Sequence, residues 1–324
     1  RAGRASGGPA PGSPADPHAP DIERFGGDPY VEDESPDWFP EWMDRSMYLR
    51  VYNVTFAGPD FDDEAFALLA PQMPDVISLT IEPSHLTDDG LAPVQSMSEL
   101  EGLTLTGPPL TGRSLRHVAG HPRLYRLVLY ELDVRPEDLS TLQNLPRLTG
   151  LAIHDADIGD GLSHLAGLTN VEELDLVSTR FDNAQMQHVG TLPSIYSLTV
   201  TGSNLNDEGL SHIGNLKQLN TLTADETEIT GATCADWPVI SSLRTIDVSE
   251  TKFNDAGAAA LSKQTHLEYL YAMRVEITDA AASHLAKLPN LKTVYLDDAR
   301  ITDESLPHFA KIKSLTSFSF TLCD

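Results

Sequence analysis

Apolar residues recur along this chain with a period of about 24 residues. From each start position, apolar side chains follow three, five, ten, fifteen and eighteen residues later, and successive starts are 25, 24, 24, 24 and 23 residues apart and then 24 throughout. The twelve starts are Val51, Val76, Leu100, Leu124, Leu148, Val171, Ile195, Leu219, Leu243, Leu267, Leu291 and Leu315. Such a period is typical of stacked units, none of which can bury its apolar face alone. The sequence therefore predicts one elongated solenoid.

Each unit opens with an LxxLxL stretch, for example Leu100, Leu103 and Leu105, whose alternation of apolar and polar residues is typical of a strand. An apolar anchor follows, and then a pair such as Thr278-Asp279. Such a pair suits a helix N-terminus, because the first side chain caps a free amide and the acid interacts favourably with the helix dipole. Each unit is therefore expected to contain a strand, a turn and a short helix.

The repeat resembles that of leucine-rich-repeat proteins, and in detail the bacterial pattern LxxLxLxxTxITDxGLxxLxxLpx that is abundant in planctomycete proteins. The resemblance implies an α/β fold, a right-handed solenoid with a parallel sheet on its concave face and short helices on its convex face. At a position where many family members have Asn or Cys, this chain has Thr179, Ser203, Thr227 and Thr251. The resemblance implies that these side chains bond to the backbone of the turn.

Three segments are predicted. Residues 1–30 are expected to be a disordered tether, because residues 1–20 are almost entirely Gly, Pro, Ala, Ser and Arg. Residues 31–50 contain the aromatic cluster Trp38, Phe39 and Trp42 and are expected to cap the N-terminal end of residues 51–324, the solenoid. The chain begins at Arg1 rather than Met. We therefore expect membrane association only through a removed signal or anchor, with which the protein would be extracytoplasmic.

Charge and motifs exclude several classes of function. The formal net charge is −26, from 22 Lys and Arg against 48 Asp and Glu, so most of the surface would repel nucleic acid. The sequence contains no GxGxxG, Gly-Lys-Ser/Thr, Gly-x-Ser-x-Gly or His-Glu-x-x-His motif. Two cysteines, Cys234 and Cys323, are too few for a disulfide scaffold or a zinc ribbon. We expect no enzyme activity and no cofactor.

A row of histidines is the best candidate for a metal site. Six of them occupy one repeat position on the predicted convex side: His117, His164, His188, His212, His284 and His308. Stacked imidazoles could bind a metal or respond to pH. No column of acids or cysteines accompanies the row as a second type of ligand. We interpret it as a structural feature of the repeat, and the sequence predicts no metal site.

The predicted concave face is where a partner would bind. Residues two, four, six and seven places after each start should point outward there, and two clusters stand out among mostly small residues. The central cluster is Arg126, Tyr130, Glu131, His154, Asp155, Glu173 and Asp175. The C-terminal cluster is Asp225, Glu226, Asp247, Glu250, Tyr269, Tyr271, Met273, Arg274, Tyr295, Asp297 and Asp298. Aromatic residues, Met and Arg are enriched at protein interfaces, although exposed Tyr also simply suits strands.

These observations favour a non-catalytic scaffold whose acidic concave face binds a protein partner of basic or mixed charge. Its binding site is predicted to centre on Tyr271 and Tyr295, 24 residues apart at one strand position, whose rings should lie about 5 Å apart. Asp247 and Arg274 lie beside them, and Arg126 and Tyr130 form the next candidate site. The alternatives are a structural or surface-assembly protein and a regulatory repeat region of a larger enzyme or ligase adaptor.

Overall fold

The computed structural model describes residues 19–33 and 49–321. In these residues thirteen strands form one sheet; twelve are parallel and β1 is antiparallel at the N-terminal edge. In sheet order they are β1 (Gly27–Asp33), β2 (Leu49–Gly58), β3 (Ser78–Ser84), β4 (Gly102–Thr106), β5 (Arg126–Tyr130), β6 (Gly150–His154), β8 (Glu173–Asp175), β10 (Ser197–Thr199), β11 (Thr221–Thr223), β12 (Thr245–Asp247), β13 (Tyr269–Tyr271), β14 (Thr293–Tyr295) and β15 (Ser317–Ser319). Two short strands, β7 (Asp157–Gly159) and β9 (Arg180–Phe181), pair separately. Each of the twelve predicted units contributes one parallel strand.

The helical part of the unit is short and varies between units. The α-helices are α1 (Ala19–Arg24), α2 (Asp63–Leu69), α3 (Met186–Val189), α4 (Asp207–Ile213), α5 (Asp255–Leu261), α6 (Asp279–Leu285) and α7 (Leu306–Phe309). 3-10 segments are Ala70–Gln72, Ala92–Ser96, Gly112–His117, Pro136–Asn144, Gly161–Leu165, Asn183–Gln185, Ala232–Asp236 and Asp303–Ser305. Segments this short have little helical stability of their own. Packing against the sheet therefore decides their form.

The strands stay in register through the one short repeat. Paired residues in neighbouring strands are 24 apart along most of the sheet, as in Leu222 with Ile246. Between β6 and β8 the offset is 23, since Leu151 pairs with Leu174. The missing residue is absorbed after the strand, where β7 and β9 pair with a register shift. The predicted shorter turn with unbroken strand pairing is confirmed.

One continuous apolar core runs through the described residues, formed by inward strand residues, anchors and helix residues. At its C-terminal end Phe318 and Phe320 are partly buried and pack against this core. Their ring centroids are 5.0 Å apart, and Phe318 lies 4.5 Å from Phe309. The bulky rings thus cover the apolar surface that the last unit presents, as expected from their place in the repeat.

The predicted disordered tether is wrong for residues 19–30. Residues Ala19–Arg24 form α1, and β1 pairs antiparallel with β2, with Gly27 opposite Phe56. Ile22 is fully buried and Phe25 packs against the core. Two apolar side chains and the unpaired edge of β2 are enough to hold this segment. Residues 1–18 and the aromatic cluster of the predicted cap, at 34–48, lie outside the described residues.

The acids of the Thr-Asp and Asn-Asp pairs, and Asp63 at the same repeat position, link consecutive units. In each link the backbone N–H and the hydroxyl of a threonine donate to the two carboxylate oxygens of the acid one unit earlier. The links are Asp63 to Thr87, Asp88 to Thr111, Asp207 to Thr230, Asp255 to Thr278 and Asp279 to Thr302. Sequence analysis assigned these acids to the helix dipole alone. The structure shows that they also connect one unit to the next.

Of the four residues that the resemblance assigned to the turn, three donate to backbone carbonyls, and Ser203 accepts from the Leu205 N–H at 3.3 Å. The Thr227 and Thr251 hydroxyls donate to the carbonyls of Ala224 and Val248 at 2.7 and 2.6 Å. The Thr179 hydroxyl donates to the Ile153 carbonyl of the preceding unit at 2.7 Å. All three side chains are buried. A buried hydroxyl without such a partner would destabilise the fold.

Replacing Asp279 with alanine tests the inter-unit links. Asp279→Ala removes the acceptors of the Thr302 N–H and hydroxyl, at 2.8 and 2.7 Å. We expect the free energy of unfolding in urea to fall by about 1–3 kcal/mol. Asp303 occupies the same repeat position and is exposed, and its carboxylate accepts no hydrogen bond from the described residues. If Asp303→Ala destabilises the protein as much as Asp279→Ala, the helix dipole rather than the link explains the effect.

Candidate functional site

The C-terminal cluster lies on the face of the sheet that the helices leave uncovered. Along β13 the central Leu270 points into the core, whereas Tyr269 and Tyr271 on either side of it are partly exposed. Successive side chains of a strand alternate between its two faces, so the repeat places the same positions of neighbouring units side by side. Asp247, Tyr271 and Tyr295 are paired residues of β12, β13 and β14 and form one lateral row.

The two tyrosines at the centre of this row are in contact. The ring centroids of Tyr271 and Tyr295 are 5.5 Å apart, with an interplanar angle of 80°. This edge-to-face arrangement is a favourable one for aromatic rings. The Tyr295 hydroxyl lies 3.2 Å from the Ser317 hydroxyl, and this hydrogen bond restrains the Tyr295 ring. The distance predicted from the repeat is therefore found, and the pair presents a fixed apolar surface with polar ends.

Asp247, at one end of the row, is partly buried and forms no ion pair with a Lys or Arg of residues 19–33 or 49–321. Burial raises the pKa of its carboxyl group, the hydrogen bond from the Ser249 N–H at 2.9 Å opposes this, and the charge of Asp225 adds to it. Asp225, Asp297 and Asp298 also form no ion pair within residues 49–321. The concave surface beside the tyrosines therefore carries uncompensated negative charge.

Asp297 differs from Asp247 in its hydrogen bonds. Burial acts to raise the pKa of Asp297, but hydrogen bonds prevail and the pKa is lowered. The donors are the Ser319 hydroxyl at 2.6 Å and the Thr321 N–H and hydroxyl at 2.6 and 2.7 Å. Donors that bond to the ionised form stabilise it. Asp297 is therefore held as a carboxylate next to Tyr295.

Four residues of the cluster lie in a turn rather than on the strand face. Glu226, Glu250, Arg274 and Asp298 have left-handed backbone, with φ of 56, 57, 55 and 59°. Their N–H groups are nevertheless bonded to the next unit, as in the bond from Arg274 to the Asp297 carbonyl at 2.8 Å. This backbone conformation is strained for residues other than glycine. The repeat pattern predicts that these residues face outward from the strand, whereas the structure places them in the turn after it, where Arg274 forms an ion pair with Glu250.

The central cluster is also brought together, on β5, β6 and β8. The rings of Tyr130 and His154 are 5.8 Å apart, and His154 Nε2 lies 3.3 Å from Asp175 Oδ2. Arg126 Nη1 forms an ion pair with Glu173 Oε2 at 3.2 Å. The charges of Asp155 and Glu131 raise the pKa of Tyr130.

The two clusters do not meet. β10 lies between β8 and the unit of β11, to which Asp225 and Glu226 belong, and presents Ser197 and Thr199.

Two exposed tyrosines were missed in the sequence. Tyr125 and Tyr196 have relative exposures of 46 and 52% and lie one residue after their repeat starts, at the edge of the sheet. The positions predicted to face outward begin two residues after each start, so they do not include Tyr125 and Tyr196.

No metal-binding group of three His, Cys, Asp or Glu occurs among residues 19–33 and 49–321. No helix in the described part of the chain is long and apolar enough to cross a membrane.

Comparisons with solved structures identify the fold. An internalin (inlF) from Listeria monocytogenes is 20% identical, with a TM-score of 0.59 over 79% of this chain and 70% of the internalin. A TDR receptor is 17% identical, with a TM-score of 0.56 over 82% of this chain and 47% of the receptor. The chain is a leucine-rich-repeat solenoid. No family model and no curated protein matches it. The concave face of the leucine-rich-repeat sheet is therefore the surface on which both clusters lie.

The opposite pKa shifts of two acids on the leucine-rich-repeat concave face give opposite effects on stability. Folding favours the protonated form of Asp247, whose contribution to stability falls as pH rises through its pKa. For Asp297 the contribution is present at neutral pH and is lost as pH falls through its lowered pKa. We expect Asp247→Asn to raise the free energy of unfolding at pH 7, by less than about 1 kcal/mol because of solvent screening, and Asp297→Asn to lower it.

Urea titrations at about pH 7 and about pH 3 check this prediction, because both carboxyl groups are largely protonated in the unfolded chain at the lower pH. Both differences should shrink there. If Asp247→Asn destabilises the protein at pH 7, burial does not dominate at this carboxyl group.

Proposed function

We propose that this protein is a non-catalytic scaffold that binds another protein on its concave face, at a site centred on Tyr271 and Tyr295. The observation that carries the proposal is the contact between these rings, 5.5 Å apart on the uncovered face of the sheet. A tyrosine offers a large contact area and a hydroxyl group while losing little conformational entropy on binding. Two tyrosines held against each other lose still less.

The surroundings of the pair support a partner with basic or mixed charge. Asp247 and Asp297 flank the two rings, and Asp298 and Glu250 lie at the rim. Since Asp225, Asp247, Asp297 and Asp298 have no Lys or Arg partner among residues 49–321, basic groups of a partner would compensate them. Met273, Tyr269 and Arg274 complete the surface with residue types that are common at protein interfaces.

The shape of the surface favours protein binding over catalysis. Twelve parallel strands at about 4.8 Å each make a surface of roughly 50–60 Å, much larger than a small-molecule pocket. The Tyr271 and Tyr295 hydroxyls lie on an open sheet, without the nucleophile and base in contact that covalent catalysis requires. One structural neighbour is named a receptor, a class of protein that acts by binding. We therefore infer that the chain itself catalyses no reaction.

The test is the double substitution Tyr271→Ala and Tyr295→Ala. A photo-crosslinking amino acid at position 271 identifies the partner in an extract, and the purified partner is then titrated by calorimetry. Truncating an interface anchor costs about 2 kcal/mol, so affinity should fall at least about 30-fold. Leu270 and Val294 carry the packing of these strands and remain in place, so the circular dichroism spectrum should not change.

Tyr196→Ala is the matched control, because Tyr196 is 52% exposed and lies outside both clusters. It should bind the partner like the parent protein. If the folded double variant binds as tightly as the parent, the proposed site is wrong.

A further inference from the structure

The central cluster surrounds a depression in the concave face. Its floor is formed by Gly150 and Ala152 of β6, and its walls by β5 and β8. The volume of the depression is about 80 Å³. At the same positions of β5 and β8 stand larger side chains, namely Arg126 and Val128 on one side and Glu173 and Asp175 on the other. Two small residues between larger neighbours therefore create the hollow.

An ion pair spans the depression above Gly150, from the β5 wall to the β8 wall. Arg126 and Glu173 flank Gly150 on the two neighbouring strands, and their charged atoms meet at 3.2 Å. A methyl group added at Gly150 would lie 3.6 Å from Arg126 Cγ, which is an ordinary contact. The charge of Arg126 is thus directed to Glu173, and its side chain lies over the floor, with Cγ and Nη1 at 3.6 and 3.7 Å from the position of a methyl group at Gly150.

The β8 wall also contains Asp175, whose negative charge is poorly compensated by neighbouring groups of the protein. Asp175 Oδ2 is 3.3 Å from His154 Nε2, and Oδ1 is shielded from solvent and accepts no hydrogen bond from the described residues. No Lys or Arg lies within ion-pair distance of Asp175 in residues 49–321. An acceptor left in this state costs free energy, and a cation brought next to it is favoured.

We infer that this depression binds one Lys or Arg side chain of a protein partner. The alkyl part of that side chain packs on Ala152 and Val128, and its charged end reaches Asp175, with Glu173 close by. Long basic side chains commonly combine apolar contact along the stem with a charged contact at the tip. The site goes beyond the proposed tyrosine site and does not depend on it, because β6 and β13 are five strand positions apart, about 24 Å at about 4.8 Å per strand.

The probe is a capped Gly-Arg-Gly tripeptide at low ionic strength, where weak electrostatic binding is least screened. The same tripeptide with citrulline, which has nearly the same shape without the charge, is the matched control. Binding is followed by NMR of the methyl groups of Ala152, Val128 and Met273 in the full chain. We expect saturable shifts at Ala152 and Val128 with the arginine peptide and at least tenfold weaker binding of the citrulline peptide.

Two variants locate the contact. Asp175→Asn removes the charge, and Gly150→Val fills the floor with a side chain that suits a strand; both should weaken binding at least tenfold. Asp303→Asn, which alters an exposed acid outside both clusters, should leave the response at Ala152 unchanged within twofold. The unshifted methyl resonances of the remaining units show that each variant is folded.

The inference is overturned if the arginine and citrulline peptides bind equally, if neither shifts Ala152 or Val128, or if Asp175→Asn binds like the parent. Shifts confined to Met273 would place cation binding at the C-terminal cluster and also overturn it. The double substitution Tyr271→Ala and Tyr295→Ala should not alter the response at Ala152. A failure of the tyrosine site therefore remains distinguishable from a failure of this one.

Discussion

The structure depends on the burial of one apolar face per unit against the next unit. A strand of three to ten residues followed by a short helical segment cannot exclude water from its own apolar side chains. Stacked at intervals of 24 residues, the inward leucines, isoleucines and valines form a single core through the described chain. The repeat length is constrained by this stacking, since the one 23-residue step keeps the strand in register and takes its missing residue from the turn.

Stacking leaves one face of the sheet uncovered by the rest of the solenoid. Aromatic and charged side chains can therefore be placed on this face. The Asp–Thr links and the buried hydroxyls of the turns hold neighbouring units together away from the uncovered face. Residues on the uncovered face can therefore vary from strand to strand without loss of the fold. Along the middle strands they are mainly Ser and Thr, whereas aromatic and charged residues concentrate in two places.

The acids of the concave face illustrate a conflict between stability and binding. Asp247 is partly buried with a raised pKa, and Asp175 has an oxygen without a hydrogen-bond donor. Neither feature improves the stability of the isolated chain. Groups that destabilise the free protein but would be compensated by a basic partner are typical of surfaces shaped by binding. The left-handed backbone at Glu250 and Arg274 adds strain at the rim of the same surface.

The sequence by itself determined the solenoid, its twelve parallel strands and the lateral contact of Tyr271 with Tyr295. These features follow from a period that can be counted, because residues one repeat apart become neighbours whenever units stack in register. Tertiary structure alone decided the hydrogen-bond partners of Asp279, the folding of residues 19–33 into α1 and β1, and the depression over Gly150. Thr302 donates to Asp279 only because the next unit stacks in register, and Ile22 of α1 is buried because it packs into the core. The ion pair between Arg126 and Glu173 spans two strand spacings and joins residues 47 apart in sequence. Contacts of this kind depend on how side chains of different length meet across strands, which a repeat pattern does not record.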